Sequence, residues 1–419
     1  MKQVDKQLSH RVVPFGIGEK VKSTLIIFII IIFVNTTVSN QVFGQPQTSP
    51  PTLISDAAII IDAKTGKVLF EKESHTKMYP ASLTKIATAI YAIEKGDIDE
   101  TVTVSKKARN VGGSKVYLEE GEQVPLKKLI QGLLINSGND AAVAIAEHLS
   151  GSNEQFASDM NEYLTNEVGL RDTNFKNPHG LFDVNHVTTA SDLAKLTQYA
   201  MDNKLFREIF GTKELKWSGE SWDTTLITHH KLMREMPYKG ITGGKTGFVD
   251  ESGFTLATTA KRKNLSLIVI TLDSDQKDEV YNDTISLLDY AFDNFETSSI
   301  PRGTVFTLEE QEYKVGKALF YTYSIGDEVE EVLNANGILE LINQDGNVIT
   351  SSSLERIKRE NQPETVMAER ETNNKKNSTL FKKHSFQIQI FLLFFVIIGK
   401  ILLLRTSKKK THINLWEKK

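Results

Sequence analysis

The chain has 419 residues, of which 40% are hydrophobic and 25% are charged, and its formal net charge is −3. This length predicts a sizeable core with at least one accessory region, while the small net charge gives no indication of a polyanionic partner such as nucleic acid. Because the chain contains no cysteine, disulfides, iron–sulfur clusters, thiolate zinc sites and cysteine nucleophiles are excluded.

The N-terminal region has the pattern of a secretory signal. Lys20 and Lys22 precede an apolar run from 25 to 34, and polar residues follow it. A basic segment before a short apolar core is typical of a signal peptide, and the run is shorter than the roughly 20 residues of a membrane-spanning helix. We therefore predict a signal peptide at 1–44, cleaved before Gln45, with an uncleaved anchor as the alternative. A linker rich in Gln, Pro, Thr and Ser follows at 45–53.

The next region alternates between strand and helix patterns. Apolar stretches at 57–62 and 67–70 flank a turn with Gly66 and predict a β-hairpin. Helical spacing of apolar residues predicts helices at 82–94, 126–135, 140–149, 155–168, 191–201 and 279–295. Two further strands are predicted at 253–260 and 265–272. Strands at both ends of a helical middle indicate one sheet assembled from sequence-distant strands, with helices packed on it.

The C-terminal third predicts a β-rich region and then a membrane anchor. Strand-like segments at 304–308, 318–323 and 338–342 indicate a small β-rich domain at 297–350, followed by a polar stalk at 351–385. Residues 386–404 are nearly all apolar, with Lys400 as the only full charge, and a basic tail follows at 405–419. This order predicts a transmembrane helix with a cytoplasmic tail. The main body is therefore expected outside the cytoplasm, held at the cell membrane by a single C-terminal span.

Three short motifs contain residues suited to catalysis. In the first, Ser82 and Lys85 are three residues apart at the start of a predicted helix and so share a face. A serine hydroxyl needs a neighbouring base to become a good nucleophile, and a lysine amine can be that base where burial or a second positive charge lowers its pKa. Taken alone, the same pattern also fits a helix-capping serine beside an exposed lysine.

The other two motifs are equally unspecific when each is taken alone. Ser137 and Asn139 flank Gly138 between two predicted helices, where a hydroxyl and a carboxamide can face one cleft, although this is also a common turn composition. Lys245 and Thr246 can bind a carboxylate, and Gly247 permits close approach of another backbone segment. A glycine-rich hairpin with an exposed lysine is the alternative there.

The order of the three motifs is much more specific than any one of them. Ser-x-x-Lys, Ser-x-Asn and Lys-Thr-Gly, in this order, resemble the signature of penicillin-binding proteins and class A β-lactamases. Over roughly 54–295 the chain looks closest to the low-molecular-weight D-alanyl-D-alanine carboxypeptidases, because 177–181, His186 and 190–193 are similar to a segment typical of that group. The resemblance implies an α/β serine DD-peptidase fold at 54–296, in which an antiparallel sheet is flanked by helices beside an all-helical lobe.

The resemblance also implies the substrate and the roles of the site residues. The substrate would be peptidoglycan stem peptides, the inhibitors β-lactams, and no cofactor or metal is expected. Ser82 would attack the carbonyl of the penultimate D-Ala with Lys85 as base, Ser137 would pass a proton to the leaving D-Ala, and Asn139 would hold the peptide. Lys245 and Thr246 would bind the terminal carboxylate of the substrate. Gly247 would permit the close backbone approach, and the N–H groups of Ser82 and Phe248 would form the oxyanion hole.

Two other functions remain open from the sequence. The first is a β-lactamase, although the Glu-x-x-Leu-Asn segment of class A enzymes is absent and 162–166, with Thr165 in place of Leu, comes closest to it. The second is a catalytically silent wall-binding homologue, against which the complete motif set argues. The motifs do not separate carboxypeptidase from endopeptidase activity. The adjacent pair His229 and His230 does not suit a metal site, and we expect His179 and His186 to make structural hydrogen bonds.

Overall fold

The computed structural model describes residues 49–357, so the predicted signal peptide, transmembrane helix and basic tail lie outside the described residues. Within this range the chain forms two compact units. The larger comprises 49–305 and 315–354, and it contains all three motifs. The smaller comprises 306–314 and 355–357. No helix within 49–357 combines the length and the apolarity that a membrane crossing requires.

Helices and strands alternate as the sequence predicts over most of the larger unit. The α-helices are α1 Thr84–Lys95, α2 Lys106–Asn110, α3 Leu126–Ile135, α4 Asn139–Ser150, α5 Asn153–Tyr163, α6 Ala190–Asp202, α7 Lys204–Phe210 and α8 Lys277–Asn294. The strands up to α8 are β1 Ala57–Asp62, β2 Val68–Lys72, β3 Thr101–Thr103, β4 Gln123–Pro125, β5 Glu214–Ser218, β6 Asp223–Ile227, β7 Ile241–Val249, β8 Gly253–Arg262 and β9 Leu265–Ser274. Short 3₁₀ turns lie at Ala81–Leu83 and Lys231–Met233, and a π-helical turn at Leu164–Val168 extends α5.

The central sheet has five strands in the order β2-β1-β9-β8-β7. All its pairings are antiparallel, and β1 lies beside β9, more than 200 residues later in the chain, with Ile59 opposite Ile270. This arrangement confirms the prediction of one sheet built from sequence-distant strands. It also leaves β7, which carries the Lys-Thr-Gly motif, at an open edge.

Helices cover both faces of this sheet. Along β1 every residue is buried, and successive side chains point to opposite faces. Ala57, Ile59 and Ile61 therefore join the large core with the helices before β5, whereas Ala58 and Ile60 pack with residues of α8. A strand buried on both faces requires the continuous apolar run that the sequence shows there.

The segment after α8 consists of short strands, as the sequence predicts. They continue to Arg356, past residue 350 where the polar stalk is predicted to begin, because residues 348–353 pair with residues 338–343. They are β10 Phe295–Ile300, β11 Val305–Leu308, β12 Gln311–Lys314, β13 Leu319–Ser324, β14 Val329–Leu333, β15 Ile338–Asn343, β16 Val348–Ser353 and β17 Glu355–Arg356. Strand β10 pairs with β13, while β14, β15 and β16 form one three-stranded sheet and β11, β12 and β17 form another. Within the larger unit, Thr297 of β10 donates to the buried carboxylate of Asp62 at 2.6 Å.

Candidate active site

Ser82 and Lys85 of the first motif lie in direct contact. Ser82 is in the 3₁₀ turn before α1, and Lys85 is in the first turn of the helix. The Lys85 side chain is completely buried, and its Nζ lies 2.9 Å from Ser82 Oγ and 2.7 Å from the carbonyl oxygen of His179. The predicted pairing of hydroxyl and amine on one face of the helix is therefore present, and a backbone carbonyl fixes the amine.

Two buried lysines determine the electrostatics of the site. Burial lowers the pKa of Lys85 well below its ordinary value, the charge of Lys245 lowers it further, and the carboxylate of Asp140 opposes both. Burial also lowers the pKa of Lys245, to about 7. Removing an ammonium group from water disfavours its charged form. Lys85 can therefore hold a neutral amine at physiological pH, which a general base requires.

The second motif is a sharp turn between α3 and α4. Ser137 has a φ of +61°, and Asn139 is the first residue of α4. Ser137 Oγ lies 3.0 Å from Lys245 Nζ, while Asn139 Nδ2 donates to the carbonyl oxygen of Gly112 at 2.7 Å. The second motif therefore contacts the third through a Ser–Lys pair that resembles the pair in the first motif.

Asp140 anchors the loop at 116–118 to the start of α4, next to this turn, and the sequence analysis did not identify it. Its buried carboxylate accepts hydrogen bonds from the backbone N–H groups of Val116, Leu118 and Ala141. Burial raises the pKa of Asp140, and these hydrogen bonds counteract part of that effect. The sequence shows only that Asp140 is an acidic residue in the first turn of a helix, where such residues are favoured, and this does not indicate the loop that it binds.

The third motif lies within strand β7, at the edge of the central sheet. Lys245 is buried, Thr246 is partly exposed and the side chain of Phe248 is 50% exposed. Lys245 Nζ donates to the Thr246 carbonyl oxygen at 2.8 Å as well as contacting Ser137. A Cβ at Gly247 would lie 2.4 Å from Thr255 Oγ1 and 2.9 Å from the backbone nitrogen of Ser82. Glycine is therefore what allows β7 to lie against Ala81–Leu83, the turn that contains the predicted nucleophile Ser82 (the nucleophile turn), and the close approach predicted at Gly247 is present.

The segment from 176 to 186 forms one wall of the site. Besides the contact of His179 with Lys85, Pro178 accepts a hydrogen bond from Thr88 Oγ1 at 2.6 Å. His186 Nε2 lies 2.7 Å from Thr84 Oγ1, and His179 Nδ1 accepts from the N–H of Leu181. Both histidines thus make hydrogen bonds, as predicted. Burial lowers the pKa of His179 to about 3 and that of His186 to about 4.

The structure therefore brings the three motifs to one place. Ser82, Lys85, Ser137 and Lys245 are joined in two serine–lysine contacts, and Gly247 lies next to the Ser82 backbone. Thr246 and Phe248 are on the same strand as Lys245. Within the described range no group of three or more His, Asp or Glu side chains is arranged to hold a metal ion.

Comparison with known proteins points to a single family. A family profile described as D-alanyl-D-alanine carboxypeptidase, peptidase S11, matches residues 45–276. D-alanyl-D-alanine carboxypeptidase DacF of Bacillus subtilis is 33% identical over 309 residues, which cover 72% of this chain and 78% of the relative. DacA of Haemophilus influenzae is 32% identical over 272 residues, which cover 59% of this chain and 64% of the relative.

Solved structures with the same fold include two penicillin-binding proteins. Penicillin binding protein 5 from Haemophilus influenzae is 26% identical with a TM-score of 0.66, and the match covers 74% of this chain and 98% of that one. Penicillin binding protein 6B from Escherichia coli is 27% identical with a TM-score of 0.63, covering 74% and 97%.

Proposed function

Because this chain belongs to the D-alanyl-D-alanine carboxypeptidase family, we propose that Ser82 is the nucleophile with which it removes the terminal D-alanine from peptidoglycan stem pentapeptides. The enzyme is a serine peptidase, and its relatives carry the name of this activity. The observation that supports the assignment most strongly is the 2.9 Å contact between Ser82 Oγ and Lys85 Nζ. It places a hydroxyl beside an amine whose lowered pKa leaves a lone pair available.

Acylation follows from this pair. Lys85 Nζ takes the proton of Ser82 Oγ as the oxygen attacks the carbonyl carbon of the penultimate D-Ala. The C–N bond to the terminal D-Ala then breaks, and its nitrogen receives a proton by way of Ser137. Water subsequently attacks the ester on Ser82, giving the shortened peptide and the free hydroxyl. Attack by a positioned nucleophile divides one difficult hydrolysis into two easier steps.

The remaining site residues bind and polarise the substrate. Lys245 and Thr246 bind the terminal carboxylate, for which a lysine at the edge strand supplies charge. The N–H groups of Ser82 and Phe248 form the oxyanion hole, and Gly247 lets β7 lie close to the backbone nitrogen of Ser82. Asn139 orients the peptide. A β-lactam acylates Ser82 because its ring amide and carboxylate imitate the D-Ala-D-Ala end.

Export and anchoring complete the proposal and rest on the sequence alone. The signal peptide at 1–44 directs the chain out of the cytoplasm, and the catalytic domain at 54–296 works there. The β-rich segment from 297 to 356 and the polar residues that follow it up to 385 separate it from a transmembrane helix at 386–404. Cell fractionation tests this part: the full chain should sediment with membranes and resist salt extraction, whereas a chain ending at 385 should be released.

Mass spectrometry of the purified full chain in detergent tests the catalytic proposal. It is mixed with a synthetic stem pentapeptide ending in D-Ala-D-Ala and, separately, with penicillin, beside a Ser82→Ala control. Loss of one D-Ala, with a long-lived penicilloyl adduct on Ser82 that the control lacks, is the expected result. Rapid turnover of penicillin with an untouched peptide would indicate a β-lactamase, and no reaction with either would indicate a silent wall-binding protein.

A further inference from the structure

The peptide bond between Ala81 and Ser82 connects the wall of the site to the oxyanion hole. In a planar trans peptide unit the C=O and the N–H point in opposite directions. The Ala81 carbonyl and the Ser82 N–H are therefore two ends of one rigid group, and whatever fixes the oxygen also fixes the direction of the N–H. Ala81 has a φ of +47°, a left-handed conformation that residues with a Cβ adopt rarely and only where surrounding contacts hold them.

Three residues form a hydrogen-bonded chain that ends on this oxygen. Thr84 Oγ1 donates to the Ala81 oxygen at 2.8 Å. His186 Nε2 lies 2.7 Å from Thr84 Oγ1, and the N–H of Lys176 donates to His186 Nδ1 at 2.9 Å.

The proton positions in this chain follow from the partners. The Lys176 N–H can only donate, so Nδ1 of His186 must accept and carries no proton. The neutral ring then has its proton on Nε2 and donates it to Thr84 Oγ1, which leaves the threonine hydroxyl proton for the Ala81 oxygen. Every donor in the chain thus points toward the nucleophile turn.

Glycines allow other backbone segments to pack closely on both sides of the Ala81–Ser82 peptide. A Cβ at Gly180 would lie 1.8 Å from the Ala81 oxygen, and a Cβ at Gly247 would lie 2.9 Å from the Ser82 nitrogen. The peptide is therefore enclosed by the wall segment on its oxygen side and by β7 on its nitrogen side. Hydrogen bonds in series also polarise one another, so a donor on the Ala81 oxygen makes the Ser82 N–H a stronger donor.

We propose that His186 is a positioning residue that orients and polarises the Ser82 N–H of the oxyanion hole through Thr84 and the Ala81 carbonyl. The inference rests on the proposed role of Ser82. It assigns His186 a role in stabilising the tetrahedral intermediates of both acylation and deacylation, and no role in substrate binding. A purely structural role is the alternative, because the His186 ring also stacks on Phe175 with 5.0 Å between ring centroids.

Two substitutions of His186 distinguish the positioning role from a purely structural role. In His186→Gln the side-chain amide nitrogen can occupy the place of Nε2 and donate to Thr84, while the acceptor for Lys176 is lost. In His186→Asn the side-chain oxygen can occupy the place of Nδ1 and accept from Lys176, while the donor to Thr84 is lost. Both variants lose the ring and its stacking on Phe175, so each serves as the other's control for packing.

The test measures kcat and KM for the pentapeptide, together with the penicillin acylation rate, for the full-length protein. His186→Asn should lower kcat and the acylation rate about tenfold with little change in KM, because one hydrogen bond supporting the oxyanion hole is lost. His186→Gln should stay within about threefold of the unaltered enzyme. Equal losses in the two variants, or a change in KM alone, would overturn the positioning role.

Thr84 provides an independent check that does not depend on the folding of the histidine variants. Thr84→Val removes the hydroxyl and should match His186→Asn, whereas Thr84→Ser keeps the hydroxyl and should retain activity. Combining Thr84→Val with His186→Asn should lower the acylation rate no more than either change alone, because both interrupt the same hydrogen-bonded chain. Additive losses of rate would contradict the proposed chain.

The adduct on Ser82 separates failure of this proposal from failure of the proposed function. If the unaltered enzyme forms no adduct on Ser82, the proposed function itself fails. A normal adduct with variants that all acylate at the same rate refutes only the role of His186.

Discussion

Replacing Gly180 with alanine tests how closely the wall segment packs against the nucleophile turn. Gly180 has a φ of +87°, and a Cβ there would lie 1.8 Å from the Ala81 oxygen and 2.9 Å from Thr84 Oγ1. An ordinary carbon–oxygen contact is about 3.3 Å or longer. The Ala81 oxygen or the backbone of the 176–186 segment must therefore move by about 1.5 Å to accommodate the alanine. A shift of that size at the oxygen breaks its hydrogen bond to Thr84, which is 2.8 Å long in the structure.

Gly151 supplies a matched control for the conformational part of the effect. Its φ is +77°, and a Cβ there would meet nothing within 4 Å. Alanine in the left-handed region costs about 1–2 kcal/mol at either position, and the steric overlap at Gly180 should add about 1–3 kcal/mol. Gly151→Ala should therefore lower the free energy of unfolding by only the conformational cost of about 1–2 kcal/mol, and its rate of acylation should be unchanged.

Urea unfolding and penicillin acylation kinetics measure the two effects separately. We expect Gly180→Ala to unfold at lower urea concentration than Gly151→Ala and to acylate at least about tenfold more slowly, because the oxyanion N–H is displaced with the carbonyl. If the two variants acylate at the same rate, the peptide of the nucleophile turn tolerates the displacement, and the packing argument is wrong.

Three further predictions concern other parts of the site and its support. Lys245→Met should abolish carboxypeptidase activity yet raise the urea midpoint at pH 7, because a lysine with its pKa lowered to about 7 costs the folded state on the order of 4 kcal/mol. The gain should shrink as the pH rises through about 10.4, the pKa of an unfolded lysine, above which the side chain is neutral in both states; a gain independent of pH would contradict this. Asn139→Ala should lower kcat/KM about tenfold or more. The control Asn136→Ala loses a similar hydrogen bond to the same loop and should lower only the stability. Equal effects of the two changes on kcat/KM would show that Asn139 does not act in the site. Thr297→Val should cost about 1–3 kcal/mol of unfolding free energy, because the buried Asp62 carboxylate loses a hydrogen-bond donor. The acylation rate should be unchanged, and a slower acylation would show that this carboxylate is coupled to the active site.

The sequence predicts those parts of the fold in which local pattern and burial agree. The turn with Gly66 and the apolar run of β1 predict the first hairpin, and the periodic apolar residues of α1 and α3 predict those helices. Strands β5 and β6 escape prediction because only Trp217 and Leu226 are buried in them. The remaining positions of that hairpin are polar or partly exposed, so the apolar alternation that identifies a half-buried strand is too weak to detect.

The same distinction applies to the site. The three motifs could be predicted because each is a fixed local spacing, and their order carries the information. The contribution of Asp140 could not, because it depends on a loop more than 20 residues earlier folding back onto its carboxylate. The chain from His186 to Ala81 spans more than 100 residues of sequence. Such contacts are set by tertiary packing, which no local pattern encodes.

The two lysines divide the work of the site because their surroundings are similar but not equal. Each contacts one serine hydroxyl and one backbone carbonyl: Lys85 has Ser82 and His179, and Lys245 has Ser137 and its neighbour Thr246. Burial lowers the pKa of both lysines. Two ammonium groups in one buried site also repel each other, and because this effect acts on both, the pair gives up its first proton more easily than a single lysine would. The contacts then fit the roles that we propose: a neutral amine at Lys85 beside Ser82, and the remaining charge at Lys245, where it would bind the substrate carboxylate.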